Sequence, residues 1–288
     1  MICDKVYQPG KSADPFFRHR SKQLLIPYVC FFLVFYAFWL VAGRKIGDGL
    51  DVNIPFYEPI LEYLYGRPYH VCWPLWFVPC LFLMQCLFYA LNKWVKNKSG
   101  LTLLLLVFPF VPYIIDLSGT PFMFNLVCSY IPFYGVAFLY RDYLLRFLEG
   151  RKRYILALGF FILYLFLVWT YIEVDDSYLK IAIKTLACFS VIVPLFVLLK
   201  ALSSVFGRVK IVEYITTNAI VVLACHTYLI RIFQLLIVHF IGKEYWADSY
   251  WLKFGIVIAI LFLMLIPIWG INRYLPFMLG KGRLFEKK

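Results

Sequence analysis

Eight apolar runs, most of them about as long as a bilayer is thick, set the fold problem for this chain. A helix from Gln23 to Gly43 rises about 1.5 Å per residue and so reaches roughly 31 Å, the depth of a hydrocarbon core. It is entered through Phe16-Phe17-Arg18-His19-Arg20-Ser21-Lys22, where the cations must stay in water or headgroups. By the positive-inside rule that end is cytoplasmic. The remaining runs predict spans over Trp73–Leu91, Leu101–Leu117, Phe122–Tyr140, Tyr154–Ile172, Leu179–Leu199, Val212–Ile241 and Leu252–Ile271. Basic loops at Lys93–Lys98, Arg141–Arg153 and Lys200–Lys210 alternate with neutral or acidic ones at Asp48–Glu62, Asp116, Glu173–Asp176 and Glu244–Asp248. The alternation predicts an all-α polytopic bundle of about eight spans with both termini cytoplasmic.

Composition enters at this point because it excludes the soluble alternatives. Hydrophobic residues make up 63% and charged residues 16%, against about 45–50% and 25% in soluble domains. The net charge of +13 lies in short loops between apolar spans. Orientation and contact with anionic lipid therefore account for it, and no nucleic-acid partner is expected. The eight cysteines, Cys3 to Cys225, are scattered singly without zinc-ligand spacing, so no metal site is expected. Residues 1–22 read as a basic cytoplasmic segment, 23–275 as the transmembrane domain and 276–288 as a basic cytoplasmic tail. Apolar residues at helical spacing in Ile54–Tyr65 predict a short helix lying on the outer surface.

Three stretches could carry chemistry. The seventh span holds Asn218, His226, Arg231 and Gln234, and polar groups inside a membrane are costly enough to mark function. His226 is a candidate base, or else an interhelical polar contact. Arg231 and Asn218 are candidates for binding an acceptor, with a headgroup anchor the plainer role for Arg231. Arg18, Arg20 and Lys22 could bind the phosphates of an acyl donor, or only fix topology. Trp73 and Trp76, in Trp73-Pro74-Leu75-Trp76-Phe77-Val78-Pro79, are either an interfacial aromatic belt or a platform for sugar rings. Tyr63, Tyr65, Tyr69 and His70 could extend that platform. Residue chemistry alone reaches a polar cavity bounded by the seventh span and leaves its use open.

Four motifs in order resemble the type-3 integral-membrane acyltransferase family, in its branch of fucose 4-O-acetylases and exopolysaccharide acetyl- or succinyltransferases. They are F-F-R-H-R-S-K-Q-L-L-I-P-Y, P-L-W-F-V-P-C-L-F, N-A-I-V-V-L-A-C-H-T-Y and I-N-R-Y-L-P-F-M-L-G-K. The resemblance implies transfer of an acyl group from acyl-CoA, as co-substrate and with no bound cofactor, to a sugar hydroxyl of a surface glycan or its lipid-linked precursor. It implies a multi-pass protein of the inner (plasma) membrane whose partners are lipid, acyl-CoA and the glycan. The family's basic motif has arginines three apart, whereas here Gln23 follows Arg20 at that spacing. The family also opens with two helices, the first carrying the histidine thought to be the base. This sequence begins where the third would begin, which predicts a chain lacking them. Alternatives are a carrier or flippase for a lipid-linked glycan, and a non-catalytic family member.

Overall fold

The structure is a computed structural model that describes residues 13–41, 44, 53–150, 152–207, 209–242 and 249–281. Cys3, Lys45, Asp48, Asp51, Arg151, Arg208, Lys243, Glu244, Asp248, Arg283, Lys287 and Lys288, which entered the charge pattern or the cysteine count, lie outside the described residues. The chain is helical, with no strand among the described residues. Seven described helices are long and apolar enough to cross a membrane: Phe16–Val41, Tyr69–Trp94, Pro121–Leu139, Arg153–Glu173, Ser177–Phe206, Ala219–Phe240 and Tyr250–Tyr274. The span predicted at Leu101–Leu117 is the exception. It is a shorter apolar segment, Lys98–Ile114, in which Pro109 and Pro112 impose a single-turn break between two helical pieces.

Two compact units divide the chain, Met1–Phe82 with Lys210–Lys288 and Leu83–Val209. The first unit starts with helix α1, Ala13–Val41. It runs through the basic stretch instead of starting after it, so its first turns carry the cations and the rest carries the apolar run. Beyond it lie α2, Glu58–Leu64, and α3, Tyr69–Cys72, then a 3-10 turn, Trp73–Trp76, which leads into α4, Phe77–Trp94. The middle unit holds α5, Lys98–Val107, α6, Val111–Ile114, α7, Phe124–Leu139, α8, Arg141–Glu149, α9, Arg153–Glu173, and α10, Ser177–Phe206. The first unit resumes with α11, Lys210–Thr217, and α12, Ala219–Phe240. It closes with α13, Tyr250–Leu263, α14, Leu265–Tyr274, and a 3-10 turn, Pro276–Leu279.

The short helix α2 forms as predicted, but not on the outer surface. The Arg44 guanidinium donates to Ile54 O at 2.7 Å and Tyr36 Oη to Phe56 O at 2.7 Å. Tyr28 Oη donates to Tyr63 O at 2.8 Å. As residue numbers rise from 54 to 63, their partners fall from Arg44, beyond the end of α1, to Tyr36 and Tyr28 on it. The segment therefore runs antiparallel to α1 and descends along it. Tyr63 stacks on Phe32 at 4.0 Å and on Tyr28 at 4.5 Å, near the middle of a helix that spans 13–41. The reason is aromatic complementarity. Stacking and two tyrosine hydrogen bonds satisfy the descending backbone, which is what irregular chain at membrane depth requires.

The descent ends against α12. The Tyr228 hydroxyl bonds to Val71 O, and Cys72 Sγ to Ala224 O at 3.4 Å. Tyr228 also stacks on Phe35 at 4.3 Å, so α1, α3 and α12 meet at one level. The core of this unit is built around Phe31, Leu75, Val221, Met264 and Ile268, all almost fully buried.

Candidate functional site

The seventh predicted span is two helices. Asn218 stands at the joint, and its amide donates to Tyr214 O at 2.9 Å across the break between α11 and α12. Its carbonyl oxygen accepts from Asn272 Nδ2 at 2.8 Å, and the residue is 4% exposed. These contacts clasp α12 to α14 and leave the side chain little capacity for an acceptor.

Helix geometry splits the three N-terminal cations. Arg18 and Lys22 are four residues apart and share a face, while Arg20 lies on the opposite side. Arg20 is 8% exposed, donates to Gln23 Oε1 at 3.2 Å and lies 5.7 Å from the Phe16 ring centre. The position where the family motif would place an arginine thus holds a hydrogen-bond acceptor for Arg20. Arg18 is exposed and Lys22 half-buried. The Lys22 carbonyl abuts Gly280, where an added Cβ would lie 2.4 Å from that oxygen. Gly280 has φ +66°, a conformation that glycine adopts without strain. The first and last of the four sequence motifs therefore meet at one end of α1.

His226 lines an apolar groove of about 460 Å³ between α12 and α13, with Ile215, Val222, Leu223, Val257 and Ile260 among its walls. Its Nδ1 is 2.8 Å from Val222 O. In the neutral ring the proton therefore sits on Nδ1, held within its own helix, and not in the interhelical contact considered above.

The polar constellation lies at the level where the descending segment meets α12. A cavity of about 30 Å³ is lined by Tyr69, His70, Cys72, Trp73, Thr227, Tyr228 and Arg231. His70 Nδ1 is 2.8 Å from Glu62 Oε1, and the His70 backbone N–H donates to Glu62 Oε2 at 3.3 Å. One carboxylate thus grips both ends of the residue. Nδ1 is fully shielded, whereas the His70 side chain keeps 26% of its exposure. The accessible part is the rest of the ring, on which Nε2 is the other polar atom. Nδ1 lies within charge-pairing distance of the carboxylate but makes no hydrogen bond among the described residues, so Glu62 holds the residue through the backbone N–H and steadies the ring by proximity.

The other walls add donors and an aromatic face. Thr227 Oγ1 is shielded, with no hydrogen-bond partner among the described residues. Tyr69 and Trp73 stack at 4.4 Å and remain 41% and 45% exposed. Trp76, half-buried, lies 6.3 Å from Trp73 at a tilt. A cavity of 30 Å³ holds one or two waters but no sugar ring, since one water needs about 10–15 Å³ on this measure. A hydroxyl can enter it while the ring that bears it rests outside on Tyr69 and Trp73.

Of the residues singled out in the sequence, the structure brings Trp73 and Arg231 into this cavity and Trp76 beside it. It leaves His226 in the apolar groove, and Asn218 and Arg20 in structural contacts. Glu62 was missed, and His70 was noted only as part of an aromatic surface. The usable signal was an acid and a histidine eight residues apart in a run rich in proline and tyrosine. Among the described residues no group of three or more His, Cys, Asp or Glu could hold a metal. The type-3 acyltransferase family model, described as an acyltransferase domain, matches residues 7–273. No curated protein and no solved structure matches the chain.

Proposed function

The chain belongs to the type-3 acyltransferase family, and on that premise we propose that it is an integral-membrane O-acyltransferase of the inner (plasma) membrane. It moves an acetyl or succinyl group from acyl-CoA to a sugar hydroxyl of a cell-surface polysaccharide or its lipid-linked precursor. The observation that carries this reading is the hydroxyl-sized cavity beside the exposed Tyr69–Trp73 stack. Aromatic faces take sugar rings, and the cavity admits one hydroxyl with Arg231 and Thr227 on its wall. Arg18 and Lys22 supply cationic groups for the CoA phosphates at the cytoplasmic end of α1. From Lys22 to Phe35, which packs at the level of the cavity, α1 rises roughly 20 Å. The pantetheine arm of the donor would lie along that length.

A carrier for a lipid-linked glycan is the second reading. It is favoured by the break in the Tyr69–Trp94 segment at Trp73–Trp76, because interrupted helices line the central sites of many transporters. Proteoliposomes of the purified protein, given labelled acetyl-CoA or succinyl-CoA and lipid-linked glycan, separate the two. Alkali-labile label on the glycan is the expected result, and Trp73→Ala should raise the KM for glycan without changing that for acyl-CoA. Glycan translocation with no acyl label from either donor would contradict the acyltransferase reading and support the carrier.

A further inference from the structure

We propose that His70 is the general base that activates the acceptor hydroxyl and that Glu62 is its positioning residue; this rests on the acyltransferase reading. Three features of the structure converge. Glu62 contacts His70 through both carboxylate oxygens, one at Nδ1 and one at the backbone N–H. His70 lines a cavity of about 30 Å³, the size for a hydroxyl. The pair is carried to mid-height of α1 by a descending segment held by stacking and tyrosine hydrogen bonds. A half-buried carboxylate held against a histidine within an apolar bundle is costly to place, which points to use and not to stability.

The step balances without any redox partner. His70 Nε2 accepts the proton of the sugar hydroxyl as the hydroxyl oxygen attacks the thioester carbonyl carbon. The tetrahedral adduct carries an oxyanion, for which the Arg231 guanidinium on the cavity wall is a donor. The C–S bond then breaks, the ester is formed, and the departing CoA sulfur takes the proton back from His70. Glu62, 2.8 Å from Nδ1, offsets the charge on the imidazolium while it exists. The same geometry sets His226 apart, because its groove is apolar and holds no counter-charge.

The test uses the full-length protein in proteoliposomes with acetyl-CoA and lipid-linked glycan. His70→Gln should lower kcat by about 10²–10⁴-fold with the KM for acetyl-CoA unchanged. His70→Gly should recover part of the lost rate when imidazole is added. Glu62→Gln should lower kcat by a smaller factor, again without raising KM. His239→Gln, on the exposed end of α12, should behave as wild type. Wild-type kcat in His70→Gln overturns the base assignment while leaving the acyltransferase reading intact. A loss that imidazole does not rescue, or one that falls on KM and thermal stability, makes His70 structural and likewise overturns it. A wild type that acylates nothing brings down both.

Discussion

The two compact units solve the same problem of lipid burial in opposite ways. In Leu83–Val209 the longest helices, α9 and α10, run 21 and 30 residues, and α9 carries its charged residues only at its ends. Along α9 only Ala157 is buried, and the faces carrying Ile155, Leu158, Ile162 and Ile172 are exposed, as helices solvated by lipid would be. The buried polar groups here are neutral, Gln85 and Ser190, and Ser190 is satisfied by Leu186 O within its own helix at 2.8 Å. In the unit made of Met1–Phe82 and Lys210–Lys288, helices break at Asn218, at Trp73–Trp76 and at Met264, a guanidinium is buried and the Glu62–His70 contact is half-buried. Irregular chain and buried charge persist in a membrane only where surrounding groups satisfy them. The polar cavity and the buried guanidinium lie in the first unit while the middle unit exposes apolar helix faces, so the proposed chemistry falls in the first and the packing against lipid in the middle one.

The strongest challenge to that division is at Gly280. Valine there would have to adopt φ +66° with its Cβ 2.4 Å from the Lys22 carbonyl, a backbone atom with no rotamer to yield. Strain and overpacking together should cost about 2–6 kcal/mol. A thermal melt should fall steeply and acyl transfer should fall with it. The matching lesion in the middle unit is Gly135→Val. A Cβ at Gly135 would meet Leu105 Cδ1 at 2.4 Å and the Phe88 ring at 3.0 Å. Overpacking there should cost about 1–3 kcal/mol. Its melting temperature should drop while kcat per folded molecule stays at the wild-type value; loss of kcat would break the proposed division of labour. The smallest effect is expected at the clasp between α12 and α14. Asn218→Ala should destabilise by about 0.6 kcal/mol, the average for an interhelical hydrogen bond, and leave the KM for glycan unchanged. A raised KM would return Asn218 to the acceptor site.

What was legible in the sequence was governed by length and local charge. The apolar runs marked the spanning helices closely because a lipid-facing helix needs little beyond apolar length. The third span, expected at Leu101–Leu117, lies three residues earlier at Lys98–Ile114 and is interrupted, because Pro109 and Pro112 break a helix that hydropathy reads as continuous. Phe122 and Met123 take positive φ at the entry to α7, where neither residue type signals a left-handed turn. The site was less legible because it is made by long-range pairing. The loop carrying Glu58 and Glu62 was assigned to the outer surface for its acids. Its depth is decided by the contacts of Tyr63 with Tyr28 and Phe32, more than thirty positions away, and side-chain stacking of that kind leaves no periodic trace. His226 stood out for the opposite reason, because a histidine in an apolar span is conspicuous whatever it contacts.

The central claim is that the segment from Ile54 to Trp76 descends along α1 and brings Glu62 and His70 to its middle. A cysteine-free protein carrying Tyr28→Cys and Tyr63→Cys, treated in native membranes with a short bifunctional thiol reagent, tests it directly, since the two native rings stack 4.5 Å apart. Efficient intramolecular cross-linking is the predicted result, together with slow labelling of position 63 by a bulky membrane-impermeant maleimide. Rapid labelling of position 63 from outside intact cells, with no cross-link to position 28, would put the short helix back on the outer surface and contradict the account.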